Sequence, residues 1–464
     1  MQIMRKWPPN VLFLWNTWKG KTKITISKKN MISKATIIED TKGLLGMLPT
    51  LTAGVPDDIF ISIENARCPK AEVYVKEGDP VKIGQVIGMR HAAFFDQPIH
   101  SSVSGVVAGF EKHYHRSGKL VNYIKVKNDH LDELDPSIKP RSDEEIAKLT
   151  RADFAEILKQ TSSVGLGGSS FPTYVKFKTD AKIDAILING VECEPYITAD
   201  HRLMLEHPEE IVQGIRYLQQ AFDCEKALIC VKSKYADLKK VYRSFLKRHE
   251  GSGIELCPVG NFYPQGWEIA MIKSATGIEV PSGHLPSEFG IADFNVSTVY
   301  GIYQAVKFNR PVSERNISIT GDAIRYPSNF VVRVGTPLRD LLEKCGGYTD
   351  PDVNKVFILG GPMMGAALPS DDCIITKTVT SVIVLNESMK PEEPCIRCGS
   401  CMMSCPAHLQ PKLIMDAVKA KDKQRIKDLQ PLRCIECGLC SYVCTSHIRV
   451  TDYIRKAKIF AKMP

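Results

Sequence analysis

The sequence predicts a multidomain α/β protein, and three observations carry that expectation. Short strand-like runs punctuated by glycine begin near residue 60, strands and helices alternate from about residue 185, and one cysteine pattern occurs twice near the C-terminus. At roughly 100–200 residues per domain, 464 residues allow three or four domains. With 44% apolar and 24% charged residues, the composition is that of a globular protein. There is no apolar run of the ~18 residues that a membrane span needs. The net charge of +9 is modest, and no aromatic-interleaved basic stripe marks a nucleic-acid surface, so nucleic acid is excluded as a partner.

The first segment, residues 1–54, is poorly assigned. Arg5, Lys6, Lys19, Lys21, Lys23, Lys28, Lys29 and Lys34 have no acid among them, and the apolar stretch 11–15 is too short to cross a bilayer. Of two readings, a basic surface anchor or a dispensable extension upstream of a second start at Met31, composition favours the second. Residues 55–130 follow with β-rich runs at 71–75, 81–87 and 104–110, separated by Glu77-Gly78-Asp79-Pro80 and by Gly84, Gly88, Gly105 and Gly109. The order V-x-x-G-D-x-V-x-x-G-Q-x-x-G, beginning at Val75, resembles the barrel-sandwich hybrid fold of lipoyl and biotin carriers. A carrier needs a lysine at its hairpin tip. Residues 90–97 contain none, which implies a structural or docking role.

Residues 131–311 carry the next signal, Val164-Gly165-Leu166-Gly167-Gly168-Ser169-Ser170-Phe171-Pro172-Thr173. A glycine-rich turn opening a helix exposes backbone N–H groups that can hold a phosphate. The apolar strand 185–188 then ends at Asn189-Gly190-Val191-Glu192-Cys193-Glu194-Pro195, placing polar and acidic groups at a strand's carboxyl edge, where open α/β sheets bind ligands. The alternative is that Asn189 and Glu194 cap a helix. Helices at 206–222 and 236–247 around a strand at 227–231 complete the alternation. In residues 312–388, the stretch 316–341 reads as a strand pair and helix, and 355–359 as another strand.

Residues 389–464 hold the repeated pattern C-x2-C-x2-C-x3-C, a two-cluster iron–sulfur signature. Three cysteines of each copy wrap one cubane and the fourth ligates the other, which assigns Cys395, Cys398, Cys401 and Cys444 to one [4Fe–4S] cluster. Cys434, Cys437, Cys440 and Cys405 take the second. Pro406 follows Cys405 as the pattern expects, whereas Thr445 follows Cys444. Zinc knuckles would need paired C-x2-C hooks, and no secretory signal with a cleavage site supports disulfides. The terminal Arg455, Lys456, Lys458 and Lys462 suit either anionic headgroups or a solvated helix face.

Together, the glycine loop ending in F-P-T, the N-G-x-E-C-E-P strand end, Tyr263-Pro264-Gln265-Gly266, Val280-Pro281-Ser282-Gly283, Asn295-Val296-Ser297-Thr298, Gly360-Gly361-Pro362-Met363-Met364-Gly365 and the cysteine repeats resemble the RnfC (RsxC) family, a component of the Rnf (Rsx) ion-translocating electron-transport complex. The G-x-G-G-x-x-F-P and N-x-x-E-x-E-P elements are also similar to those of the NADH-binding flavin subunit of respiratory complex I. The resemblance implies a barrel-sandwich hybrid, an FMN-binding α/β domain, a ligand-binding β-grasp module and a two-cluster ferredoxin domain. It implies FMN held by Gly165, Gly167, Gly168, Lys176, Asn189, Glu192 and Asn295, with Phe171 and Glu194 beside NAD(H). The implied role is electron transfer among NAD(H), FMN and two clusters within a ferredoxin:NAD+ oxidoreductase, with no catalytic residues beyond the cofactors. Implied partners are integral membrane subunits and a ferredoxin-like subunit, with ferredoxin reached indirectly. The implied place is peripheral, on the cytoplasmic face of the bacterial membrane.

Ser170, Trp267, His284 and Ser297 stand where the family usually has glycine, and the family's glycine-rich N-terminal segment is not recognisable before residue 55. Ser170, Trp267 and Ser297 motivate a second reading, a docking and electron-wire protein whose nucleotide pocket has filled. A third, the related cobalamin-reductase protein, has its sandwich module late, against the order here.

Overall fold

The computed structural model describes residues 36–463 apart from 66 and 389. The basic cluster from Arg5 to Lys34, the stretch 11–15 and Met31 lie outside the described residues. Residues 36–54, grouped by sequence with that extension, are woven into the body of the protein. Tyr263 N–H donates to Thr36 O at 2.9 Å and Tyr196 N–H to Asp40 O at 2.8 Å. Asn329 Nδ2 donates to Leu45 O at 3.0 Å. The short strand Leu51–Thr52 then pairs in parallel with Ser328–Arg333. Every partner is remote in sequence, so nothing local to the segment announces the arrangement.

Two sheets face each other across residues 58–128. Asp58–Ser62, Leu120–Asn128, Gly105–Tyr114 and Pro80–Val81 form one, and Lys70–Val73, Val86–His91 and Asp96–His100 the other. Alternate residues on the strands point inward, so Ile59, Ile61, Val107, Ile124 and Val126 meet Ile87 and Ile99 in one apolar core. At Gly105, φ +149°, a Cβ would lie 2.0 Å from Lys127 O, so only glycine lets the two long strands close. The hairpin arms that would flank a carrier's lysine instead bury Arg90, Gln97 and His100.

The central α/β domain has a parallel sheet in the order Ile254–Val259, Ala227–Lys232, Ala185–Asn189, Ile291–Asn295. Its strands are covered on both faces, which explains their nearly continuous apolar sequence. Ile186, Ile188 and Ile229 point to one core, and Ala185, Leu187 and Leu228 to the opposite one. Helix Ala236–Lys247 has the bounds expected, and Pro208–Phe222 starts on a proline whose fixed φ suits a first helical position. Beyond it, six strands run in the order Leu51–Thr52, Ser328–Arg333, Glu314–Thr320, Ser381–Asn386, Lys355–Leu359, Ala366–Leu368. Helix Leu338–Lys344 contributes Leu338, Leu341 and Leu342 to this sheet's core.

The C-terminal region packs Ile414 and Met415 of helix Pro411–Lys419, Ile426 of Lys423–Asp428, and Ile454 and Ala457 of Val450–Lys462 into one core. Arg455 and Lys458 both pair with Glu436, so two of the four terminal cations are spent within the protein. Among the described residues, no helix is long and apolar enough to cross a membrane.

Candidate functional site

The two cysteine repeats fold alike. In each, a residue at positive φ precedes the second cysteine (Arg397 at 59°, Glu436 at 57°), and a glycine at 78° follows it (Gly399, Gly438). These left-handed residues curl the loops and open the one-turn helices Ser400–Met403 and Leu439–Tyr442. Cys395, Cys398 and Cys401 line a cavity of about 430 Å³ together with Cys444 from the other repeat. Cys405 lines a second cavity with Cys434 and interacts electrostatically with Cys434, Cys437 and Cys440. Burial, and then neighbouring thiols with Cys405 among them, push Cys437 up to about 12 and Cys440 to about 11. Such thiols are protonated at neutral pH, and iron would have to displace the proton on binding. The all-sulfur donor set suits [4Fe–4S] clusters. Among the described residues, no three His, Cys, Asp or Glu side chains gather around a single metal ion.

The glycine loop closes on itself, Gly165 N–H donating to Phe171 O at 2.7 Å and Ser170 N–H to Gly165 O at 3.1 Å. Leu166 N–H donates to Thr298 Oγ1 at 2.9 Å, fastening the loop to the helix Val296–Phe308. Among the described residues, the N–H groups of Gly167, Gly168 and Ser169 have no acceptor, which leaves a cradle suited to an anion. Ser170 holds φ at 56°, the left-handed conformation that glycine would adopt freely.

Asn189 and Asn295 are neighbours at the ends of adjacent parallel strands. Asn295 caps helix Val296–Phe308, accepting from Ser297 N–H at 3.0 Å, and donates to Asp200 Oδ2 at 2.7 Å. Asn189 donates to Gly266 O at 2.9 Å and accepts from Val191 N–H at 3.2 Å. Neither Asn189 nor Glu194 caps a helix. Ser297 Oγ donates to the other Asp200 carboxylate oxygen.

Lys176 donates to the carbonyl O and Oδ1 of Asp293 at 2.6 and 2.9 Å. Beside them Glu268 is pushed up to about 8, first by burial and then by the Asp293 carboxylate, so the two acids share a proton. The folded chain therefore holds a proton that the unfolded chain releases near the ordinary carboxyl value of 4.5. That contribution to stability is complete below 4.5 and is lost as pH rises through about 8. Glu268→Gln is expected to flatten the decline in urea midpoint between about pH 5 and 9 in flavin-free protein. A slope unchanged from wild type would place the titration elsewhere.

Glu192 differs from the expectation that it faces a flavin. Its Oε2 pairs with Lys42 Nζ at 3.1 Å, both side chains being almost wholly buried, and its Oε1 accepts from Asp200 N–H at 2.8 Å. Burial raises the Glu192 carboxyl, while Lys42 and the Asp200 N–H pull it back. On Lys42, burial is outweighed by Glu192 and Tyr235, so its pKa rises and the ammonium stays charged. Each carboxylate oxygen therefore already has a partner in the protein. Lys42→Met leaves that carboxylate buried without a counter-ion and should cost about 3–5 kcal/mol in urea unfolding. Adding Glu192→Gln should return much of the loss, and a double variant as unstable as the single one would refute the pairing.

Glu194 reaches the other domains. It accepts from Met363 N–H at 3.0 Å, and the Tyr263 hydroxyl stands between Glu194 Oε1 at 3.2 Å and Cys437 O at 2.9 Å. Burial pushes the Glu194 carboxyl up to about 6. A Cβ on Gly361 would meet Glu194 Oε2 at 2.0 Å, and one on Gly438 would meet Met363 O at 2.7 Å, so three domains touch here through glycine. Phe171 has the Arg67 guanidinium 5.7 Å from its ring centroid and shares no partner with Glu194 among the described residues. Trp267 and His284 line a cavity of about 690 Å³ with Cys405 and Cys434, so these two enlarged residues face the cysteine domain.

The free loop N–H groups, the paired asparagines and Lys176 fit a phosphorylated flavin at the strand ends. Residues 158–304 match the family described as Nuo51 FMN-binding domain, and residues 28–131 the RnfC barrel sandwich hybrid domain. Residues 316–367 match the SLBB domain and 394–448 the 4Fe-4S dicluster domain. The chain is 37% identical over 342 residues to the C component of the Na+-translocating ferredoxin:NAD+ oxidoreductase complex of Acetobacterium woodii, covering 73% of this chain and 76% of that one. The chain belongs to the RnfC family of ion-translocating ferredoxin:NAD+ oxidoreductase complexes. The RnfC relative from the proton-translocating complex of Clostridium ljungdahlii is 34% identical over 381 residues, 81% of this chain and 82% of that one. That of Actinobacillus succinogenes is 35% identical over 425 residues, 89% of this chain and 59% of that longer one. In this RnfC setting, the cofactors of the matched domains are FMN and two [4Fe–4S] clusters.

Lys42, Asp200, Glu268 and Asp293 escaped the sequence reading. Glu268 follows Trp267, and Asp293 precedes Asn295 on one strand, so an acid beside a recognised motif was a usable signal. Lys42 offered none.

Proposed function

We propose that this chain is the peripheral subunit that passes electrons among NAD(H), FMN and two [4Fe–4S] clusters in a membrane-bound ion-translocating ferredoxin:NAD+ oxidoreductase. The observation that carries the proposal is Tyr263, whose hydroxyl connects the strand-end Glu194 to the backbone of Cys437. When bound, FMN would interconvert the two-electron chemistry of nicotinamide with the one-electron chemistry of the clusters. The chain's residues bind and orient. Cys395, Cys398, Cys401 and Cys444 hold one cluster, and Cys434, Cys437, Cys440 and Cys405 the other. The N–H groups of Gly167 and Gly168 cradle the flavin phosphate, Gly165 closes the loop, and Lys176 supplies charge. Asn189 and Asn295 serve ribityl or ring groups, Glu192 braces Asp200, and Phe171 and Glu194 border the nicotinamide nucleotide. Integral membrane subunits would supply the ion path at the cytoplasmic face, with a ferredoxin-like subunit leading to ferredoxin.

The electron-wire reading is favoured by one observation: the charged groups of Glu192 and Lys176 already have protein partners. FMN titration followed by anaerobic stopped-flow with NADH separates the two. Flavin bleaching supports electron transfer from NADH, binding without bleaching supports the wire, and no binding at micromolar FMN overturns the first proposal.

A further inference from the structure

A cavity of about 370 Å³ opens where the barrel-sandwich arms, the glycine loop and the SLBB region meet. Its charge is one-sided. Arg67, Arg90, Arg116, Lys377, His100 and His115 line it, and among the described residues no carboxylate does. The cations bond to carbonyls instead: Arg90 Nε to Ile63 O at 2.8 Å, Arg116 Nη1 to Thr378 O at 2.8 Å, Arg67 Nη2 to Ser169 O at 2.6 Å, and Lys377 Nζ to Ser162 O at 3.4 Å. Burial and then Arg90 push Lys377 down to about 7, and burial, Arg116 and Arg90 push His115 down to about 4. An independent observation points the same way. His100 is 8% exposed, lines the cavity, and its Nδ1 has no hydrogen-bond partner. Gly168 borders the same space with nothing within 4 Å of where its Cβ would be.

Crowding like charges without a counter-ion costs stability unless an anion is bound. Guanidinium forks and an ammonium suit phosphate oxygens. We infer that this cavity, which shares only Gly168 with the residues proposed to hold flavin and includes neither Lys176 nor the strand-end asparagines, is a binding site for a phosphate-bearing small molecule. Its volume is many times the roughly 30 Å³ share of one water, and Ile61, Ile99 and Val164 offer an apolar wall for an organic portion. The inference does not rest on FMN binding.

The full chain, loaded with both clusters and with or without FMN, is titrated calorimetrically with inorganic pyrophosphate in chloride buffer. One saturable site is expected, weakened at least about tenfold in Lys377→Gln. Arg67 is exposed, so Arg67→Gln is expected to fold normally, and it should weaken binding at least about threefold. Competition by NADH would identify a dinucleotide as the phosphate source, and its absence a separate phosphorylated metabolite. No saturable binding, equal binding by wild type and both variants, or displacement of FMN by pyrophosphate would overturn the inference. The flavin-free arm keeps this outcome separate from any failure of FMN binding.

Discussion

Replacing Cys444 with serine is expected to remove the cluster held by the first repeat and leave the second intact. Cys444 belongs by sequence to the second repeat but lines one cavity with Cys395, Cys398 and Cys401. Cys405→Ser should do the reverse, since Cys405 interacts electrostatically with Cys434, Cys437 and Cys440 and lines a cavity with Cys434. Each variant should lose about four of roughly eight iron atoms after anaerobic reconstitution. Cys398→Ser and Cys437→Ser serve as spectroscopic references for the two sites. If the Cys444 variant matched the Cys437 signal rather than the Cys398 signal, ligation would not be crossed.

Gly167→Val should abolish FMN binding, lowering affinity by at least about a hundredfold, because the glycine is in contact with the site's own scaffold. A Cβ there would stand 2.9 Å from Asn295 Cγ, and Asn295 cannot simply swing away. It caps helix Val296–Phe308 and is anchored to Asp200. The side chain would therefore displace either the loop N–H groups or the capping residue. Ser169→Ala keeps its backbone N–H and is the matched control. Fluorescence titration with FMN checks both. Wild-type affinity in the valine variant would mean that the flavin does not use this loop.

Much of this architecture is written in local pattern. The helix Ala236–Lys247 and the cysteine spacing are short-range features, and an amphipathic period or a C-x2-C-x2-C turn carries its own instructions. The glycine loop was equally visible. What sequence could not show are contacts made by a single side chain across domains. Lys42 takes one carboxylate oxygen of Glu192 without any motif of its own, and Trp267 turns toward the cysteines although its position in the chain suggested a filled nucleotide pocket. The cationic cavity draws Arg90 and His100 from one module and Lys377 from another, so no window of sequence contains it.

The strand Leu51–Thr52 sets an order on biosynthesis. It pairs with Ser328–Arg333, and Thr36 bridges Tyr263, so although Asp40 and Lys42 meet Tyr196 and Glu192 earlier, the strand itself has no partner until residue 328 has left the ribosome. At roughly 5–20 residues per second, that wait lasts tens of seconds. The barrel sandwich, whose strands all lie between Asp58 and Asn128, can close long before then. Residues 36–54 can therefore be latched in full only after both the central sheet and the strand Ser328–Arg333 have emerged.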